Sequence, residues 1–244
     1  APGGGFGDAE ALLGEVLAVS PGLRDRIVLA TKGGITPPVP YDSSADYLRA
    51  AVEASLRRLQ VDTIDLYQIH RPDLLAHPQE VAETLDELVT AGTIRSLGVS
   101  NHTTDQTRAL QSWLATPLAA TQPEFSPLAL DPIVDGTFDL AMETTMVPLA
   151  WSPLGGGRLA GDVDPADERA AAIASVCDRI ADEQGVSRSA VLIAWAMRHP
   201  AGVVPIIGPQ TLDRIRDCAR ATDVEFTPSQ WYEVLVAARG EPMP

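Results

Sequence analysis

Short apolar runs alternate along this chain with longer stretches in which apolar side chains return every three or four positions, the pattern of strands and helices taken in turn. Six runs read as buried strands: 26–32 (RIVLATK), 63–70 (TIDLYQIH), 94–100 (IRSLGVS), 119–122 (AATQ), 146–151 (MVPLAW) and 203–207 (VVPII). Helices are predicted from Asp42-Ser-Ser to about Leu59, from His77-Pro78 to about Thr90 and from Thr103-Thr-Asp to about Trp113. Each opens on a residue that caps free N–H groups or on a proline that lacks one. The longest connection, Ser152 to Gly202, holds the glycine run Gly155–Gly157 and two further helical stretches, Asp167 to Glu183 and Ser187 to Arg198. Strands that alternate with helices in this way form a parallel sheet covered by helices. No linker and no short repeat divides the chain, so 1–244 reads as one domain. Six strands are compatible with an open doubly wound sheet and fall short of the eight of a closed barrel, so the strand count leaves the architecture open.

The 244 residues are enough to bury a sizeable core, and the formal charge of −15 narrows the partners. An acidic excess opposes nucleic acid and anionic lipid, which are held by clustered Lys and Arg. No apolar run reaches the ~18 residues of a membrane span. Cys177 and Cys218 stand far apart without CxxC spacing, which fits a reduced, cytoplasmic setting with neither a disulfide framework nor a zinc site. Several motifs fail on inspection. Gly3-Gly-Gly-Phe-Gly7 does not satisfy G-x-G-x-x-G and follows no strand, a Walker-type phosphate loop is absent, and Gly98-Val-Ser-Asn-His102 has His where a nucleophile elbow needs its second Gly. His70, His77, His102 and His199 show no metal-ligand spacing, and for the last three a surface or hydrogen-bonded histidine is the better reading.

In parallel α/β folds ligands sit at the carboxyl ends of the strands, and five of the six predicted strands end in polar or aromatic residues. Lys32 closes the first; it could depress the pKa of a neighbouring acid or simply reach solvent. His70 closes the second, where a neutral imidazole could donate to a substrate oxygen or bond to loop backbone. Ser100 and Asn101 close the third and Gln122 the fourth, with amides suited to a carboxamide ligand or to loop capping. Trp151, after the fifth, could stack on a planar ring or fill core. Beyond it, Ser152-Pro-Leu-Gly-Gly-Gly-Arg158 could wrap an anion with backbone N–H groups or act as a hinge. Ile207-Gly-Pro-Gln-Thr-Leu-Asp-Arg214 leads into a helix whose first turn carries Arg214, a phosphate site unless Arg214 pairs with Asp213 or Asp217.

In this order the segments resemble the aldo-keto reductase family over nearly the whole chain. Ile27 to Gly33 is similar to the family's catalytic-lysine strand and Asp62 to Asp73 (DTIDLYQIHRPD) to its catalytic-histidine strand. IRSLGVSN, QPEFSP, LAWSPLGGG and IIGPQTLDR are similar to its cofactor-binding segments, and AWSPLGGGRL with the ending Glu241-Pro-Met-Pro244 to its bacterial YdhF-like branch. The resemblance implies a (β/α)8 TIM barrel, here without about its first two βα units, and NADPH-dependent reduction of a small-molecule aldehyde or ketone by a monomer or weak oligomer. It implies Lys32 and His70 as catalytic residues and Ser100, Asn101, Gln122 and Trp151 around the nicotinamide. Ser152, Leu154, Gly156 and Arg158 would line the pyrophosphate, with Ile207, Gly208, Gln210 and Arg214 beyond it and Arg214 on the 2′-phosphate of NADP+. No metal is implied. Gly208-Pro209 stands where many members have Lys-Ser, and Cys218 where an adenine-contacting Asn is common. The family's catalytic Asp and Tyr precede the segment matching Gly7 to Gly14, before this sequence starts; Phe6-Gly7 mimics Tyr-Gly without a hydroxyl. A protein that began at Ala1 is therefore expected not to turn over. A non-catalytic NADP(H)-binding regulatory subunit on the same barrel is the alternative.

Overall fold

In a computed structural model, residues 5–244 are described, and they divide into two compact units, one ending at Thr121 and one running from Gln122 to Pro244.

The first unit contains α1 (Asp8–Val19), β1 (Ala30–Gly33), α2 (Ala45–Leu59), β2 (Ile64–Ile69), α3 (Pro78–Thr90), β3 (Ile94–Ser100), α4 (Thr104–Gln111) and β4 (Leu118–Gln122), which ends at the boundary. Its strands lie side by side in chain order. β1 pairs parallel with β2 in the register Lys32↔Gln68, and β2 with β3 in the register Gln68↔Gly98. The starts of the helices are chemically marked. Ser44 caps α2 by accepting from the Tyr47 N–H, the His77 ring does the same for α3 ahead of Pro78, and Thr103 and Gln106 form a reciprocal capping box on α4. Leu48, Val52 and Leu59 of α2 are buried, as are Val81 and Leu85 of α3 and Ile64, Ile69, Leu97 and Val99 of the sheet.

β1 is shorter than the apolar run predicts. Residues 24–26 make a 3-10 turn instead, because Arg24 donates to the Thr63 carbonyl and to Asp65, whose carboxylate also takes the Leu29 N–H that a longer strand would use in the ladder. Val28, inside the predicted strand, is consequently exposed.

The second unit contains the short α5 (Asp131–Val134), α6 (Thr137–Thr144), β5 (Val147–Ala150), α7 (Glu168–Gln184), α8 (Arg188–Met197), β6 (Val204–Pro205), α9 (Leu212–Ala219) and α10 (Pro228–Arg239). β5 and β6 pair parallel. β6 is two residues long where five were expected: Pro205 brings no N–H, and the Ile206 N–H makes a last bond to the Ala150 carbonyl. An aromatic stack fills the core. Trp195 lies between Phe125 and Trp231, and the two indoles exchange hydrogen bonds, Trp195 Nε1 to the Trp231 carbonyl and Trp231 Nε1 to the Trp195 carbonyl. His199 packs its ring against Phe138 and accepts from the Ala201 N–H through Nδ1.

Candidate active site

In the first unit, alternation along β1 sends Thr31 and Lys32 to opposite faces of the sheet. Thr31 donates to Glu10 of α1, whose other oxygen takes the Arg58 Nε–H at 2.6 Å, so α1, β1 and α2 are tied at one acid. Lys32 stands beside Gln68, and His70 continues the same strand, its N–H donating to the Gly33 carbonyl at 2.7 Å. Lys32 and His70 line one cavity of about 330 Å³ with Glu10, Tyr47 and Arg58. Tyr47 clamps the loop beside it: its hydroxyl donates to the Ile35 carbonyl and accepts from the Gly34 N–H, at a glycine whose φ of 105° suits no other residue.

Electrostatics in this cavity follow from burial. Lys32 is lowered below the ordinary lysine value by desolvation, and among the described residues no carboxylate pairs with it. His70 is pushed down to about 4, first by desolvation and then by the positive charges of Lys32 and Arg71, so its imidazole is neutral at pH 7.

Ser100, at the end of β3, is buried, and Asn101 after it takes the left-handed conformation with φ 56°, its amide donating to Ser100 Oγ at 2.8 Å. His102 closes the turn with Nδ1 3.0 Å from the Ser100 carbonyl, and since that oxygen only accepts, Nδ1 carries the proton. Both His77, as a helix cap, and His102 are thus hydrogen-bonded histidines, as the sequence suggests.

In the second unit, Gln122 is buried at the end of β4. Trp151 continues from β5 and is held from both sides: its N–H donates to the Pro123 carbonyl and its carbonyl accepts from the Phe125 N–H. Ser152 follows with φ 51°, and Gly155, Gly156 and Gly157 form a 3-10 turn with positive φ throughout. These residues border a cavity of about 820 Å³ lined by Trp151, Ser152, Leu154, Gly156, Ile207, Gly208 and Arg214, with the buried Cys218 at its wall. Added side chains at Gly156 or Gly208 would meet no atom within 4 Å, so nothing crowds the backbone on that side. α9 starts at Thr211 without a side-chain cap, leaving its first N–H groups for an anion.

Arg214 lies in that first turn and pairs with neither candidate acid: Asp213 goes to Arg216 at 3.6 Å, and Asp217 accepts from Ser187 Oγ at 2.6 Å. Two residues expected to bind the cofactor stand outside this cavity. Arg158 is bound by Nε and Nη2 to Asp167, the cap of α7, at 3.0 and 2.6 Å, and neither Arg158 nor Gln210 lines the cavity. The glycine turn, an uncapped helix start and an arginine without an ion-pair partner among the described residues suit a phosphorylated nucleotide. Glu10, Arg58 and Tyr47 are missed by sequence reasoning; Glu10 is 21 residues from Thr31 and 48 from Arg58, distances no local pattern spans. Among the described residues no group of His, Cys, Asp or Glu could hold a metal ion, and no helix is long and apolar enough to cross a membrane.

Parallel βα units whose strand ends carry polar side chains and open cavities define an α/β protein that binds its ligand at the carboxyl ends of its strands. The chain belongs to the Aldo/keto reductase family, whose model matches residues 5–236. It is 58% identical over 240 residues to a 6-dehydroglucose reductase of Novosphingobium aromaticivorans, a match covering 98% of this chain and 78% of that one. It is 40% identical to a 6-dehydroglucose reductase of Agrobacterium fabrum (98% and 81% covered) and 36% identical to the oxidoreductase YdhF of Escherichia coli (99% and 82%). The solved structure of the glycerol dehydrogenase AKR11B4 from Gluconobacter oxydans superposes with a TM-score of 0.83 at 26% identity, over 98% of this chain and 80% of its own. The fold is thus the aldo-keto reductase TIM barrel, represented here by six parallel strands.

Proposed function

We propose that the protein reduces an aldehyde to the alcohol with NADPH, and that its substrate is 6-dehydroglucose or a closely related sugar aldehyde. The observation that carries the substrate is the 58% identity to a 6-dehydroglucose reductase along nearly all of this chain. The chemistry is supported by the pair of Lys32 and neutral His70 on one cavity. NADPH, when bound, supplies the hydride. His70 donates a ring N–H to the carbonyl oxygen and orients it without adding charge. Lys32 holds down the pKa of the tyrosine that gives the proton, a residue the family resemblance places on the strand before Gly7. By the family resemblance, Ser100, Asn101, Gln122 and Trp151 would hold the nicotinamide end, Ser152, Leu154, Gly156, Ile207 and Gly208 the phosphates, and Arg214 the 2′-phosphate. Arg158 would reach the pyrophosphate only on leaving Asp167, and Gln210 would lie beside these contacts. The test is NADPH oxidation by the protein, purified with any residues its gene encodes before Ala1, with 6-dehydroglucose beside a panel of simple aldehydes. The expected result is turnover, with kcat/KM for the sugar aldehyde at least tenfold above the panel, about 1.4 kcal/mol of transition-state preference. Tight NADPH binding with no turnover of any carbonyl would overturn it in favour of a nucleotide-binding regulatory subunit.

A further inference from the structure

A separate cavity of about 230 Å³ lies in the first unit, bordered by the loop that joins β2 to α3 and by the first turns of α3 and α4. None of the residues placed above in the catalytic or cofactor set lines it. Ile69 borders it, whereas the next residue, His70, borders the cavity of Lys32, so the end of β2 stands between the two. Its walls are mainly apolar: Ile69, Val81 and Leu110 are buried, and Pro78 has no N–H to offer.

The polar side chains that interrupt these walls differ in what they have left to give. Ser43 is 1% exposed, and its Oγ is buried without a hydrogen-bond partner among the described residues, a costly state unless something entering the cavity meets it. His102 spends its Nδ1 proton on the Ser100 carbonyl, and burial lowers its pKa, so the ring is neutral and Nε2 is left as an acceptor. Asp73 is the acid of the cavity, but its two oxygens already accept from the Ser43 and Leu75 N–H groups, each at 2.9 Å, so it does not call for a cation. Gln106 likewise uses its Oε1 on the Thr103 N–H in the capping box of α4.

One spare donor and one spare acceptor face an apolar space, and a hydroxyl answers both, since the same oxygen accepts and donates. A ketone would serve Ser43 and leave His102 Nε2 bare. A carboxylate would meet that lone pair and the Asp73 charge, and a sugar carries more hydroxyls than these walls can satisfy. We propose that this cavity is a binding site for a small uncharged alcohol with a hydrocarbon body. The ligand hydroxyl accepts from Ser43 Oγ and donates to His102 Nε2, and its carbons pack on Ile69, Val81 and Leu110. The occupant ties the loop that follows His70 to the start of α4. Recognition depends on this cavity alone, and so stands whether or not the protein oxidises NADPH.

The nitrogen-15-labelled protein, with any residues its gene encodes before Ala1 and without nucleotide, is titrated at pH 7 with cyclohexanol, cyclohexanone and glucose while its amide spectrum is recorded. The expected result is saturable shifts at the Ser43, Ala76, His102 and Gln106 amides with cyclohexanol. Its affinity there is about fivefold above that of cyclohexanone, the worth of one hydrogen bond, and glucose gives no saturable shift. Ser43→Ala weakens cyclohexanol binding by a similar factor. Because that variant could disturb the Asp73 loop, the alcohol-to-ketone ratio in the native sequence decides alone. Shifts at these amides that never saturate, saturable shifts confined to other residues, glucose binding there, or cyclohexanone held as tightly as cyclohexanol would each overturn the proposal.

Discussion

Gly33 carries no side chain because the Tyr67 hydroxyl already fills the place where one would go. That hydroxyl is buried without a hydrogen-bond partner among the described residues, and burial raises the Tyr67 pKa, so the ring is there as volume. Gly33→Ala is expected to cost about 1–3 kcal/mol through overpacking, read as a lower urea midpoint at unchanged slope. Lys32→Met should lower kcat about 100-fold while leaving NADPH affinity near native, which a steady-state assay paired with a fluorescence titration separates. Arg214→Ala should raise KM for NADPH about tenfold, one charge-assisted hydrogen bond's worth, and leave KM for NADH unchanged. A parallel rise with both nucleotides would show that Arg214 reads something other than the 2′-phosphate.

Among the elements, those with one apolar face or a marked start were legible in the sequence. β3 occupies 94–100 as read, and the starts of α2, α3, α4, α7 and α8 fall within three residues of Ser, His, Thr and Asp caps that the pattern shows. α1 was unread because apolar side chains ring it: Leu12, Val16 and Val19 are exposed and only Gly14 is buried, so no polar face sets a period. α10 was also unread, although Thr227 and Gln230 spell a capping box before it. Thr227→Ala is expected to cost about 1 kcal/mol, seen as a lowered Tm. Lys32, His70, Ser100, Asn101, Gln122 and Trp151 lie at or just beyond strand ends as read, because a polar residue that closes an apolar run is visible in the sequence. The Glu10–Arg58–Thr31 tie and the Arg158–Asp167 pair escaped, since each depends on how separate elements meet.

For the whole molecule, acid should be the destabilising direction. His70, His102 and His199 all have folded values below the ordinary 6.5, each chiefly through burial. Between 6.5 and the folded value, which for His70 is about 4, the unfolded chain binds more protons than the native one. Stability is then complete above that range and falls as pH falls through it. Asp65, braced by Arg24 and Arg95, and Asp167, held by Arg158, continue the loss at lower pH. Urea midpoints at about pH 7.5 and about pH 5 measure it; equal midpoints would mean that these imidazoles gain compensating partners on protonation.

The aromatic stack of the second unit has an optical consequence. Trp195 and Trp231 lie with ring centroids 5.2 Å apart and planes 11° from parallel, near enough for their electronic transitions to couple. The near-ultraviolet circular dichroism of the protein is thus expected to show a paired positive and negative band generated by those two rings. Trp113, half-exposed in the first unit, contributes emission of its own. Ellipticity follows the residues after Thr121, whereas emission sums Trp113 with Trp151, Trp195 and Trp231, so the difference between the native chain and Trp113→Phe isolates the first unit and shows whether the halves melt together.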